Sequence, residues 1–198
     1  MGIRNLGLLN IILNTLAIFT FFALYTAHRP GTQQHYAALA MIISFLGIGV
    51  FFANNRAFPM LDLSNQYIAA TTDAQRAILQ AAGQTMLSVG QSHTPSTFLG
   101  FFLLEIAEIM ISVVMLKAKI FSKISAYLGI LGFGMLLVFE FLTSFISGLN
   151  DVTTIFGMLS GFLSMAWYIL IARRFFQLSR SPSKKEDQAI GWYRKILS

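Results

Sequence analysis

Cysteine is absent from this 198-residue chain, which excludes a disulfide framework, a thiolate zinc site and a cysteine nucleophile. Charge is scarce as well. Asp, Glu, Lys and Arg make up 11% of the residues, against roughly a quarter in an ordinary soluble chain. A surface that poor in charge rules out a soluble enzyme domain, a disordered tail and a small secreted scaffold. Of the three histidines, His28 and His35 share the loop between the first two apolar runs, expected on the cytoplasmic side, and His93 lies in the polar segment expected outside. They therefore cannot converge with a carboxylate as a zinc hydrolase requires. No phosphate-binding loop is present, because Gly47-Ile48-Gly49 has no continuation and lies inside an apolar run. Serine nucleophiles lack a histidine at matching depth. No internal repeat of the secondary-transporter kind is visible. No haem, retinal or quinone motif stands out, so neither cofactor nor metal is expected.

Apolar residues fill the space that charge leaves. They account for 56% of the chain, with a mean hydropathy of +0.67. A bilayer core needs about 20 apolar residues in helical form. Five stretches meet that length: Asn5–Ala27, Tyr36–Ala53, Thr97–Leu116, Ile124–Ser147 and Val152–Ala172. The expected fold is therefore all-α, a polytopic membrane helix bundle with five transmembrane helices over residues 1–174. The first run superficially resembles a signal peptide, but it is too long for one and is broken by Asn10 and Asn14. We read it as a membrane helix.

The distribution of basic residues sets the expected orientation. Of 14 Lys and Arg, seven lie from Arg173 onward, and Lys117, Lys119 and Lys123 share one short loop. With the carboxyl terminus in the cytoplasm, 11 basic residues fall inside and Arg4, Arg56 and Arg76 outside. The positive-inside rule favours that arrangement, with the amino terminus outside. Basic clusters beside apolar runs point to anionic lipid headgroups. Without a basic soluble domain, nucleic acid is not an expected partner.

The polar segment 54–96 between the second and third runs is expected to be a helical extracytoplasmic cap. Pro59 can open a helix, and Thr72-Asp73-Ala74-Gln75 fits a capping box. Ile78, Ala82, Met86 and Val89 then recur at helical spacing. This amphipathic helix is expected on the mouth of the bundle or the lipid interface, with a lid lacking chemistry as the plainer reading. Residues 175–198 are expected to be a basic interfacial tail. There Ile190, Trp192, Tyr193, Ile196 and Leu197 alternate with Lys and Arg.

Several stretches also carry a resemblance: Asn54-Asn55-Arg56-Ala57-Phe58-Pro59-Met60, Leu63-Ser64-Asn65-Gln66-Tyr67 and Ala70-Thr71-Thr72-Asp73-Ala74-Gln75-Arg76. Ile120-Phe121-Ser122-Lys123, Ala126-Tyr127-Leu128-Gly129-Ile130 and Trp167-Tyr168-Ile169-Leu170 complete the set. From about the second helix onward, the chain resembles a bacterial family of small multi-pass inner-membrane proteins defined as a domain of unknown function. The resemblance implies bacterial origin and an inner-membrane location. It implies no activity and no catalytic residues.

Ionisable groups inside a membrane span are costly and mark functional sites by default. Three are present: Glu105 and Glu108 in the third run and Glu140 in the fourth. The i, i+3 spacing puts Glu105 and Glu108 on one helix face, with Ser112 extending it. Thr143, Ser144 and Ser147 share a face with Glu140. Glu105 lies about 12 Å inward from Thr97, and Glu140 about 10 Å inward from Ser147 at the same end. Asn10, Asn14 and Ser160 fall in that layer too, and Arg56 follows the second run there. The expectation is a carboxylate-lined cavity in the outer half, opening outward, for a small ligand, a cation or a proton. Arg56 is a possible counter-ion. A carrier, sensor or accessory subunit would fit this cavity. The competing readings are a structural polar network, an intramembrane enzyme with a lipid substrate, and a scaffold for a larger membrane complex. Gly157 and Gly161 form a G-x-x-x-G pair, suited to packing within the bundle or to a seam with a partner or second copy.

Overall fold

The computed structural model describes residues 2–88, 95–146 and 148–180, and every regular element among them is an α-helix. In chain order these are α1 (Gly2–His28), α2 (Gln34–Ala53), α3 (Ala57–Ala69), α4 (Asp73–Ser88), α5 (Pro95–Ala118), α6 (Lys123–Phe145) and α7 (Asn150–Arg180). Helices α1, α2, α5, α6 and α7 are long and apolar enough to cross a membrane. Within lipid a helix satisfies its own backbone groups, which is why long apolar runs take this form. Val89, Ser147 and the tail from Ser181 onward lie outside the described residues.

Helix α5 is the centre of the bundle. It packs against α2 on one side and α6 on the other; α7 follows on α6, and α1 on α2. Its most apolar window is 44% buried, against 17% for α1. Close approach through small residues is a common way for long apolar helices to pack. The buried face of α2 shows this: Ala37, Ala40, Ser44, Gly47 and Ile48. A Cβ added at Gly47 would stand 3.1 Å from both the Gly100 carbonyl oxygen and Leu103 Cβ of α5. Gly129 of α6 is tighter still, since a Cβ there would collide with Ser112 Oγ of α5 and Trp167 Nε1 of α7.

Around that junction lies one apolar core. Phe21 and Leu24 of α1, Ile111 and Met115 of α5, Phe133 of α6 and Trp167 of α7 belong to it. Trp167 and Phe133 meet edge to face with ring centroids 5.0 Å apart. His28, the last residue of α1, is buried at this end rather than lying in a loop. Its ring stacks on Phe121, and Nδ1 lies 2.7 Å from the Leu24 carbonyl.

Several element ends differ from the sequence expectation. Helix α7 continues eight residues beyond Ala172 to Arg180. Arg174 Nε donates to the Ile120 carbonyl at 2.8 Å, tying this extension to the α5–α6 connection. Helix α3 starts at Ala57, two residues before Pro59, still within the first turn where proline costs no hydrogen bond. Lys119, just after α5, takes the left-handed conformation at φ 58°, a common helix ending. Gly148, at φ +89°, makes the turn between α6 and α7.

The segment between α2 and α5 forms a helical hairpin. Asn55 Nδ2 donates to the Gly7 carbonyl at 3.1 Å, and the Ala57 amide donates to Asn55 Oδ1 at 3.0 Å. These bonds fix the start of α3 against α1. At the turn into α4, the Gln75 amide donates to Thr72 Oγ1 at 3.3 Å, and the Thr72 amide returns a bond to Gln75 Oε1 at 3.4 Å. That reciprocal pair is a capping box. Helix α4 packs on α3 and buries no residue, leaving Ile78 69% exposed.

Candidate functional site

Glu105, Glu108 and Glu140 are all buried, with 2%, 7% and 2% of their surfaces exposed. One helical turn places Glu105 and Glu108 on the face of α5 that meets α6 and α7. Glu105 lies within electrostatic reach of both Glu140 and Glu108. Glu108 Oε1 accepts a 2.7 Å hydrogen bond from the Tyr168 hydroxyl of α7. Ser112 Oγ donates to the Glu108 carbonyl at 2.7 Å, adding a turn of polar contact below the carboxyl. On α6, Ser144 hydrogen-bonds the Glu140 side chain. Two carboxyl oxygens, Glu105 Oε2 and Glu140 Oε1, are buried without a hydrogen-bond partner. A buried polar atom left in that state costs free energy unless a proton or ligand satisfies it.

Among the described residues, the three carboxylates are enclosed by the helices. Several other residues read into the site from sequence bond along their own helices. Asn14 is buried, but its Nδ2 donates to the Asn10 carbonyl at 2.9 Å and to Asn10 Oδ1 at 3.1 Å, along α1 itself. Ser160 is fully buried and donates to the Gly157 carbonyl at 3.0 Å within α7. Thr143 likewise bonds the Phe139 carbonyl of its own helix at 2.9 Å. Arg56 is half-buried at the position preceding α3.

Of the glycine pair, Gly157 packs on Phe139 of α6, whereas a Cβ at Gly161 would meet nothing within 4 Å. Helices α6 and α7 also approach closely at Gly129, against Trp167, and at Gly132, where a Cβ would stand 3.0 Å from Leu163 Cβ.

Two features carry weight that the sequence reading did not assign to them. Tyr168 supplies the hydroxyl that partners Glu108, and a buried tyrosine oxygen regularly finds such a partner. The α2 stripe of Ala37, Ala40, Ser44 and Gly47 was legible in its three- and four-residue spacing, but the G-x-x-x-G pair was the more conspicuous signal. Among the described residues, no three His, Asp or Glu side chains converge closely enough to hold a metal ion. The chain matches no family model, no curated protein and no solved structure.

Proposed function

We propose that this is a membrane-embedded binder of a proton or a small organic cation, working as a carrier, sensor or accessory subunit. One observation supports this above the rest: Glu105 and Glu140, from different helices, are both buried, lie within electrostatic reach of each other and each keep an unpartnered oxygen. Carboxylates that close in a low dielectric cannot all ionise. Either protons or a bound cation must neutralise them, and the group titrates as a unit. A proton or an organic ammonium needs only one or two oxygens, so Glu105 and Glu140 need no third carboxyl or histidine to hold it.

Infrared spectroscopy of protein in neutral lipid tests this reading. Protonated carboxyls should give carbonyl bands that Glu105→Gln and Glu140→Gln each alter, and that tetramethylammonium or a pH change shifts. Bands indifferent to pH and cation would contradict it and favour a purely structural network.

The proposed setting is a bacterial inner membrane. The resemblance in the α3, α4 and α7 stretches supports bacterial origin, and the distribution of basic residues supports an amino terminus outside and a carboxyl terminus in the cytoplasm. The α3–α4 hairpin then forms an extracytoplasmic cap. Single cysteines test the orientation cleanly in a chain that has none. Gln80→Cys should react with an impermeant maleimide from outside, and Lys123→Cys only after the membrane is opened. The reverse pattern would invert the orientation.

A further inference from the structure

The ring of helices is open between α1 and α7. Helix α1 packs on α2 and α3, and α7 packs on α6. A groove of about 900 Å³ runs between the two unjoined helices, at the upper end of the roughly 300–1,000 Å³ range of small-molecule pockets. Leu16, Ala17 and Phe19 of α1 face Ile171, Ala172 and Phe175 of α7 across it. The α1 lining runs from Leu13 to Ala23, about 15 Å along the axis. These residues lie within candidate membrane spans, and Leu13, Leu16 and Phe19 are 55%, 55% and 65% exposed. An occupant of this groove comes from the lipid phase and has an apolar body.

Polar chemistry enters at one point on the wall. Tyr168 lines the groove and is 38% exposed, while its hydroxyl donates to Glu108 Oε1 at 2.7 Å. Thr20 and Ser179, the other polar residues of the lining, turn their hydroxyls to the Leu16 carbonyl at 2.9 Å and the Phe176 carbonyl at 3.0 Å. Tyr168 thus stands between an apolar groove and three buried carboxyls. Glu108 is in turn within electrostatic reach of Glu105, which together with Glu140 keeps an unpartnered buried oxygen.

We infer that the groove between α1 and α7 binds a lipophilic amine, its chain lying along the groove and its ammonium replacing the Tyr168 hydroxyl as partner of Glu108. The inference rests on the carboxylate reading above and names its ligand class. Charge complementarity decides for an amine over a neutral lipid chain. An ammonium has three donors and brings the positive charge that the carboxyls accept. A neutral chain would fill the groove and leave Tyr168 and Glu108 as they are.

Trp167 provides the reporter. It is fully buried and stacks edge-on against Tyr168, with centroids 4.9 Å apart. Trp192→Phe leaves it the sole tryptophan, since the chain has two. The protein in neutral-lipid nanodiscs is titrated with a nitroxide-labelled long-chain primary amine and with the matching alcohol. Saturable quenching of Trp167 is expected from the amine at concentrations roughly 10-fold below the alcohol, as a charge-assisted hydrogen bond predicts. Glu108→Gln and Glu105→Gln, made separately and checked for native helicity, should each erase that preference. Ala172→Phe, which narrows the groove, should weaken quenching by both probes. Equal quenching by amine and alcohol overturns the inference in favour of a groove for any chain. Quenching indifferent to Ala172→Phe overturns it in favour of bulk partitioning. If the infrared bands respond to pH and cation while the amine shows no preference, the groove inference alone falls. If those bands are unresponsive, the carboxylate reading falls with it.

Discussion

The two halves of the bundle bury their side chains in opposite ways, though the same helices run through both. Towards the His28 end, Trp167, Phe133, Ile111 and Leu24 fill the interior chiefly with apolar atoms, with only the ring nitrogens His28 Nε2 and Trp167 Nε1 unpartnered among its described side chains, and glycine at position 129 admits the tryptophan. Towards the α3 end, the interior holds Glu105, Glu140, Asn14 and Ser160. Apolar packing stabilises wherever it is dense. A buried carboxyl stabilises only when something completes its hydrogen bonds, and removing one partner costs more than never having had the pair. The first half accounts for why the helices hold together. The second needs a reason of another kind, which the proposed proton or cation would supply.

That contrast can be broken first at its strongest point. Trp167→Ala should cost about 3–5 kcal/mol, because it empties the largest fully buried side chain from the core. Gly129→Ala should follow at about 1–3 kcal/mol, since the added methyl meets Ser112 and Trp167. Equilibrium unfolding in mixed micelles measures both. Near-neutral values would mean that the apolar half is loosely packed and the comparison misplaced.

The boundary between the halves is sharpened by Tyr168→Phe. It deletes the donor to Glu108 Oε1 and should cost about 1–3 kcal/mol, the penalty of a buried acceptor left without a partner. In the Glu108→Gln background the same change should cost measurably less, because the amide alters the partner that the hydroxyl served. Additive losses would show that Tyr168 packs and does not pair. The smallest effect belongs to Gly161→Ala, expected within about 0.5 kcal/mol because the added methyl enters open space. A larger loss, or a change in oligomeric state on size-exclusion chromatography, would mark that face as a seam between chains.

How much of this was legible in the sequence differs by feature. The five apolar helices followed from run length alone. The end of α7 did not, because Phe175 and Leu178 keep an apolar face going past Arg173 and Arg174, and Arg174 then finds a carbonyl on another helix. The Thr72–Gln75 capping box was readable because capping is local. Within the site, the i, i+3 spacing put Glu105 and Glu108 together, and burial of Glu140 beside them fits the expense of exposing it to lipid. Asn10, Asn14 and Ser160 show where periodicity stops helping. Spacing assigns a side chain to a face, but not whether it reaches across or bonds along its own helix, as Asn14 and Ser160 do to backbone carbonyls and Asn10 does by accepting from Asn14. Tyr168 escaped notice for the complementary reason. Its role depends on α7 meeting α5, helices that are not consecutive in the chain.

The most direct test of a single coupled carboxyl site is the thermodynamic cycle of Glu105→Gln, Glu140→Gln and the double variant, followed by equilibrium unfolding at constant pH. Neutralising either member relieves the other, so one single change should stabilise or be nearly neutral. The two should also be non-additive by about 0.5–3 kcal/mol, the range for side chains in contact. Additive losses from both single variants, within about 0.5 kcal/mol, would contradict the account and leave two independent buried carboxyls with no shared ligand or proton.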